Sequence, residues 1–334
     1  MKIGFFEIEP WERKILQNAF PHDSLFFSSG KLTVQNAAKY KHLDVISIFV
    51  YSEITEQVCS KLPKLKLIVT RSTGFNHIDM DVCRKRKIVV SNIPVYGENT
   101  VAEHTFALIL ALSRKLVACV ERTKSGSFDL DGLRGFDLKG KTLGVVGCGS
   151  IGEHVVKIAK GFDMHILVFD VYKKTSLAKK FGFRYASLDK VLATSDIITL
   201  HVPLNTHTHH LIDSTKLTLL KKTAFLVNTS RGEVIDTNAL LNVLQKKNIA
   251  GAALDVLEEE CTIMEETELL KKSFKGKCDI KTLIANHALL KMSNVIVTPH
   301  NAFNTNEALQ RILNTTIMNI TQFKKGKKVN VVQL

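Results

Sequence analysis

Leu143-Gly144-Val145-Val146-Gly147-Cys148-Gly149-Ser150-Ile151-Gly152 runs from an apolar stretch into three glycines spaced G-x-G-x-x-G. Alone, that spacing is weak evidence and also describes a glycine turn with no ligand. Here it has context on both sides: Thr142–Val146 reads as a strand, Glu153–Lys160 as a helix, and His165–Phe169 as a second strand that delivers Asp170. Strand, glycine turn and helix in that order make a crossover unit of a parallel sheet, and its helix N-terminus is a seat for phosphate. Gly147 permits the tight turn, Gly149 lets backbone approach a pyrophosphate, and Gly152 lets the helix pack close to the strand. Asp170, eighteen residues beyond Gly152, falls where a carboxylate takes ribose hydroxyls. Its charge repels a 2′-phosphate, which favours NAD over NADP; Lys173 and Lys174 are the opposing signal.

Working outward, short apolar runs alternate with helical stretches along most of the chain. Strands are expected at 2–6, 44–50, 65–70 and 88–91, with helices at 11–19, 54–61 and 79–85 between them. After one long helix over 99–123 the alternation restarts, with strands at 142–146, 165–169, 196–201, 224–228, 249–255 and 294–298. Strands separated by helix-length segments imply parallel sheets built from right-handed crossovers. So many strands exceed one ordinary open sheet, which makes the fold class α/β with two doubly wound parallel-sheet (Rossmann-like) domains. A polar, glycine-rich stretch, KSGSFDLDGLRG at 124–135, is the composition shift that offers a boundary, and a last helix over 306–323 is expected to return to the first domain.

Composition narrows the function classes. At 334 residues the chain has room for two sizeable cores, and 45% hydrophobic with 23% charged residues describes a globular protein in water. The opening MKIGFFEIEP is too acidic and too short in its apolar run for a secretory signal. The greasiest segment, 101–120, carries Glu103, His104, Arg114 and Lys115, which a bilayer tolerates poorly, so no membrane role is expected. Six cysteines show neither CxxC pairing nor metal spacing, pointing to free thiols in a reducing, cytoplasmic setting. The net charge of +14 comes from dispersed lysine pairs rather than an arginine block interleaved with aromatics, so no nucleic-acid partner is expected.

Three further segments carry chemistry. In Val227-Asn228-Thr229-Ser230-Arg231-Gly232-Glu233 an arginine follows a strand's carboxyl end, where it can grip a carboxylate through two parallel hydrogen bonds. GAALDVLEEE at 251–260 is a strand followed by acids, and VTPHNAF at 297–303 sets His300 behind a proline at a strand end. His207, His209 and His210 in THTHH invite a metal reading, but no carboxylate or cysteine set accompanies them in sequence, so no metal is expected.

With these segments in view, the chain resembles the D-2-hydroxyacid dehydrogenases, and within that family is most similar to the D-lactate dehydrogenases. The likeness runs almost end to end through ISIFVYSEITEQVCSKLPKLKLIVTRSTGFNHIDMD, NTVAEHTFALILALSRK, LGVVGCGSIG, HVPLNTHTHHLI, NTSRGEVIDT, GAALDVLEEE and TPHNAFNTNEAL. It implies a catalytic set of Arg231, Glu260 and His300: arginine on the substrate carboxylate, histidine as proton donor and acceptor, glutamate as its partner. Residues implied to hold the cofactor are Gly147, Gly149, Ser150, Ile151, Gly152, Asp170, Val202, Pro203, Thr208, Thr229, Ser230 and Asp255. The amides of Thr73 and Gly74 are implied to hold the substrate with Arg231, and Phe303 and Tyr51 to border its side chain. The family also implies a substrate domain of 1–99 plus 301–334, an NAD-binding domain of 100–300, an active site in the cleft between them, and a homodimer. Its substrates are small 2-keto and 2-hydroxy acids. This chain departs from the pattern at Asn76 (commonly aspartate), at Cys261 (often proline), and in a longer 261–292 segment. Glyoxylate or hydroxypyruvate reduction and an NAD-sensing, corepressor-like scaffold are the alternatives.

Overall fold

The structure is a computed structural model and describes residues 1–259 and 279–332. It resolves into two compact units, Met1–Tyr96 with Thr305–Leu334, and Gly97–Asn304. The polar 124–135 stretch lies inside the larger unit.

The smaller unit holds a five-stranded parallel sheet: β1 Lys2–Phe5, β2 Ser24–Phe27, β3 Val45–Ile48, β4 Leu67–Thr70 and β5 Val89–Ser91, in the order β2-β1-β3-β4-β5. Strands β3 and β4 are buried on both faces, which is why they read as continuous apolar runs rather than alternating ones. Alternate side chains nonetheless go to opposite layers. Ile46, Ile48 and Ile68 pack with Ile54, Val58 and Val82 of the crossover segments, whereas Val45, Leu67 and Val69 pack with Leu313 and Ile320 of the last helix, Asn306–Lys324. That helix therefore completes the core of the first sheet although it comes last in the chain.

The larger unit holds seven parallel strands: β6 Thr142–Val146, β7 His165–Phe169, β8 Arg184–Tyr185, β9 Ile197–Leu200, β10 Phe225–Asn228, β11 Gly251–Leu254 and β12 Val295–Val297, ordered β12-β11-β10-β9-β6-β7-β8. From β6 the chain winds first to β7 on one side and later to β9 on the other, so the carboxyl edge above β6 and β9 is a topological switch point, where ligands of open α/β sheets bind. The register sharpens this. Val146 pairs with both Phe169 and Leu200, Asn228 with both Leu200 and Leu254, and Leu254 with Val297. Six strands thus end in one row, and the residues immediately beyond them are Gly147, Asp170, His201, Thr229, Asp255 and Thr298.

The structure departs from the sequence reading in three places. Strands β2 and β8 have no counterpart in the sequence reading. Both are short edge strands, and β8, two residues long, exists only through its pairing with β7. The long helix expected over 99–123 is two, Glu98–Ser113 and Leu116–Lys124, broken where Lys115 takes a left-handed backbone (φ 49°). The cause is tertiary: the Phe136 amide donates to the Ser113 carbonyl, and Gly135 packs directly against it, so the helix's hydrogen-bond ladder ends there. Among the described residues no helix is long and apolar enough to cross a membrane.

Candidate functional site

At the β6 end of the row, the glycine loop has three distinct reasons for its three glycines. Gly147 sits at φ 92°, and a Cβ there would meet the His201 carbonyl at 2.7 Å. A Cβ on Gly152 would run into the Gly147 carbonyl, so the Ser150–Gly161 helix packs this close only with glycine. A Cβ on Gly149 would meet no protein atom within 4 Å. Nothing in the protein excludes a side chain at Gly149; the space beside it, at the start of a twelve-residue helix with Ser150 exposed, is a cradle that fits a pyrophosphate. Asp170, beyond β7, accepts the Cys148 amide at 2.6 Å and the Tyr172 amide at 2.8 Å, which fixes its carboxylate beside the loop. Burial, and then the Asp170 charge, push the Cys148 thiol up to about 11, so it is an inert wall rather than a nucleophile.

In the middle of the row, the His201 ring is a neutral structural group. Its Nε2 lies 2.9 Å from Thr199 Oγ1, its buried Nδ1 has no partner among the described residues, and burial pushes its pKa down to about 3. Val202 and Pro203 follow. Thr208 Oγ1 donates to the Pro203 carbonyl at 2.5 Å and accepts the Asn205 amide at 2.8 Å, closing this stretch into a turn.

Next, beyond β10, Asn228 is fully buried and organises the loop that carries Arg231. Its Oδ1 accepts the Ser230 amide (3.0 Å) and hydroxyl (2.7 Å), and its Nδ2 donates to the Arg231 carbonyl (2.8 Å). Thr229 Oγ1 lies 3.0 Å from Thr105 Oγ1 of the Glu98–Ser113 helix. Gly232 is required because the Leu257–Glu258 backbone passes where its Cβ would be. The Arg231 guanidinium spends Nη1 on the Ser230 carbonyl at 2.7 Å; Nε and Nη2 have no acceptor among the described residues. A partly exposed arginine with donors in reserve on a rigid loop suits a planar carboxylate.

At the far end, Asp255 is 1% exposed and holds the loop that carries His300. Its carboxylate accepts the Thr298 hydroxyl at 2.5 Å and the amides of Asn301 (2.8 Å) and Ala302 (2.9 Å), with His104 Nε2 at 3.2 Å. Burial alone would favour the protonated acid. The hydrogen bonds from His104, Thr298, Asn301 and Ala302 outweigh it and hold the carboxyl below its ordinary range. The His300 amide donates to the Asp255 and Thr298 carbonyls, both at 2.9 Å, and the residue adopts φ 52°. A left-handed backbone at a non-glycine residue persists only when its surroundings impose it, and such residues cluster at functional sites. The Phe303 ring stands edge-on to the His300 ring at 6.4 Å.

The sequence reading missed Asn228, His104 and Thr298 as organisers; burial of a polar residue at a strand end is the signal, and it is invisible without the fold. Glu258 accepts His210 Nε2 at 2.8 Å and the Thr237 amide at 3.4 Å, and is committed there. Glu260 lies outside the described residues. In the smaller unit, beyond β4, the amides of Thr73 and Gly74 have no acceptor among the described residues. Their loop is held by Thr73 Oγ1 donating to Ile93 O (2.8 Å), Asn92 Nδ2 to Thr73 O (2.8 Å) and Ser72 Oγ to Gly74 O (2.6 Å). Tyr51 is exposed in the same unit, its amide donating to Glu7 at 2.9 Å.

Residues 106–302 match the family model described as D-isomer specific 2-hydroxyacid dehydrogenase, NAD binding domain. The D-lactate dehydrogenase of Escherichia coli is 33% identical over 333 residues, covering 98% of each chain. The glyoxylate reductase of Pyrococcus furiosus is 33% identical over 329 residues, covering 96% of this chain and 87% of its own. The crystal structure of the Aquifex aeolicus D-lactate dehydrogenase, complexed with NAD and lactic acid, matches with a TM-score of 0.85 at 39% identity, over 97% of this chain and 96% of that one. With the NAD-binding domain matched and its whole length following the relatives, the chain belongs to the D-isomer specific 2-hydroxyacid dehydrogenases, NAD-dependent oxidoreductases.

Proposed function

We propose that the protein is a D-lactate dehydrogenase, reducing pyruvate or a closely related 2-keto acid to its D-2-hydroxy acid with NADH. One observation carries the reading: Arg231 and His300 lie beyond strands that end in one row, each on a loop held by a buried polar residue, Asn228 or Asp255. The likeness to the Aquifex aeolicus enzyme complexed with NAD and lactic acid supports lactate as the product.

The hydride chemistry belongs to the bound cofactor; the chain binds, orients and moves a proton. Gly147, Gly149, Ser150, Ile151 and Gly152 take the pyrophosphate, and Asp170 the adenosine ribose. Val202, Pro203, Thr208, Thr229 and Ser230 line the path toward Asp255 at the nicotinamide end. Arg231 grips the substrate carboxylate through two parallel hydrogen bonds and polarises the carbonyl. The amides of Thr73 and Gly74, without an acceptor among the described residues, are assigned to substrate binding by the family resemblance, as are Phe303 and Tyr51. His300 gives a proton to the carbonyl oxygen during reduction and, neutral, takes the hydroxyl proton in reverse. The family resemblance assigns Glu260, which lies outside the described residues, as the partner of that histidine.

The test is NADH oxidation with pyruvate, phenylpyruvate, 2-ketoisocaproate, glyoxylate, hydroxypyruvate and oxaloacetate, with chiral analysis of the product. Fastest turnover of pyruvate to D-lactate is expected. A preference for glyoxylate or hydroxypyruvate establishes the second reading, which the likeness to the Pyrococcus furiosus glyoxylate reductase favours. No turnover of any favours an NAD-sensing scaffold.

A homodimer through the cofactor unit is part of this reading. The Leu116–Lys124 helix buries none of its residues; Leu116, Val117 and Val120 on it are exposed, as are Phe128 and Leu130 in the stretch that follows. Such a patch is the kind a partner covers. Sedimentation velocity of Val117→Glu is expected to give a monomer where the wild type gives a dimer. Cys59, Cys83, Cys119 and Cys148 are free thiols, which supports a cytoplasmic setting.

A further inference from the structure

The histidine run that has no carboxylate in sequence acquires one in the fold. His209 and His210 follow Thr208, and Glu258 arrives from the segment after β11, 48 residues on from His210. His210 Nε2 lies 2.8 Å from Glu258 Oε1, and the His209 and His210 rings stand 4.1 Å apart at 30°. The three ligand atoms fall within 4.8 Å of one another, and no other such group occurs among the described residues.

An ion pair alone would need only His210 and Glu258; the second imidazole is superfluous to it. Two imidazoles and one carboxylate are instead a donor set for zinc, with a fourth position open. Tetrahedral ligand bonds of about 2.0–2.2 Å put ligand atoms roughly 3.3–3.6 Å apart, so His210 and Glu258, at 2.8 Å, need to part by only a few tenths of an ångström to admit an ion. Both are held there. The His210 amide donates to the Glu233 carbonyl (2.8 Å), and Asn286 Nδ2 donates to the Glu258 carbonyl (2.7 Å). His209 is exposed, so its side chain is not held by packing and is the member of the set with room to adjust. Imidazole ligands select transition ions over magnesium or calcium.

We propose that His209, His210 and Glu258 form a site for a divalent transition-metal ion, zinc or cobalt, that ties the turn after β9 to the segment after β11. This site is independent of the lactate reading, since none of the three residues is assigned to the reaction. Its test is titration of chelator-treated, full-length protein with Co²⁺, followed by visible absorption and calorimetry. One ion per chain is expected, with the ligand-field spectrum of nitrogen and oxygen donors. His209→Ala, which leaves the His210–Glu258 pair intact, is expected to weaken binding more than about tenfold, and Glu258→Gln similarly. His207→Ala is expected to leave it unchanged. Zn²⁺ is expected to raise the melting temperature of the wild type but not of His209→Ala. Absence of saturable Co²⁺ binding, or binding unchanged in His209→Ala, overturns the proposal. His209 is exposed, so that variant reports even where Glu258→Gln does not fold.

Discussion

The two ends of the row above the larger sheet are built on different principles. At the β6 end, the glycine loop and its helix come from one contiguous stretch, 142–161, with Asp170 a strand later. At the β12 end, His300 depends on Asp255, 45 residues away in sequence, and Asp255 in turn meets His104 from the Glu98–Ser113 helix. The first end is drawn almost entirely from one crossover unit, with only the His201 carbonyl arriving from elsewhere to crowd Gly147. The second is an assembly, stable only when distant strands have paired in register. The difference teaches where substitutions act: at the local end the ligand site and the fold separate residue by residue, and at the assembled end they are one.

The largest expected effect tests the proton step at the assembled end. His300→Gln is expected to lower kcat about 10²–10⁴-fold with NADH affinity kept, measured by steady-state kinetics and fluorescence titration. A near-normal rate removes His300 from the mechanism.

Asp255→Ala comes next. Removing a buried carboxylate from His104, Thr298 and two amides is expected to cost about 3–5 kcal/mol in denaturant unfolding, with kcat falling alongside. Lost activity at unchanged stability would make Asp255 a ligand contact only, and the comparison between the ends would fail.

The local end separates two glycines that look alike in sequence. Gly152→Ala is expected to destabilise by about 1–3 kcal/mol, because its Cβ meets the Gly147 carbonyl. Gly149→Ala, with open space at its Cβ, is expected to leave the melting temperature unchanged and raise the KM for NADH. Equal effects on stability would mean that Gly149 serves the fold after all.

Between the ends lies a pH effect. Burial lowers the His201 pKa to about 3, so between roughly 6.5 and 3 the unfolded chain binds a proton that the folded one refuses. Stability is therefore full above pH 6.5 and falls on acidification, by up to about 1.4 kcal/mol per pH unit. Burial of His77 in the smaller unit acts in the same direction. Asp255, whose pKa is also lowered, contributes only at lower pH, as its carboxylate protonates below the ordinary range. Denaturant midpoints at pH 7, 6 and 5 are expected to fall for the wild type and to fall less steeply for His201→Gln.

Much of the fold was legible in residues. The apolar runs Val45–Ile48, Leu67–Thr70, Thr142–Val146 and Ile197–Leu200 are buried on both faces, so their period cannot be mistaken for an amphipathic pattern. The illegible parts were edges and breaks. Ser24–Phe27 and Arg184–Tyr185 are strands because a neighbour offers a free edge, and the helix break at Lys115 exists because Phe136 and Gly135 arrive at the Ser113 carbonyl. In the same way THTHH reads as a run without a carboxylate until Glu258 is carried to His210.

The two-sheet α/β organisation and the glycine loop followed by an acid are written in the order of residues along the chain, because spacing within one crossover unit is local. Which residues share the row, how buried Asn228 and Asp255 anchor the Arg231 and His300 loops, and which carboxylate meets the histidines emerge only on folding. Those pairings depend on strand order and register, and strand register is set by packing across the whole sheet.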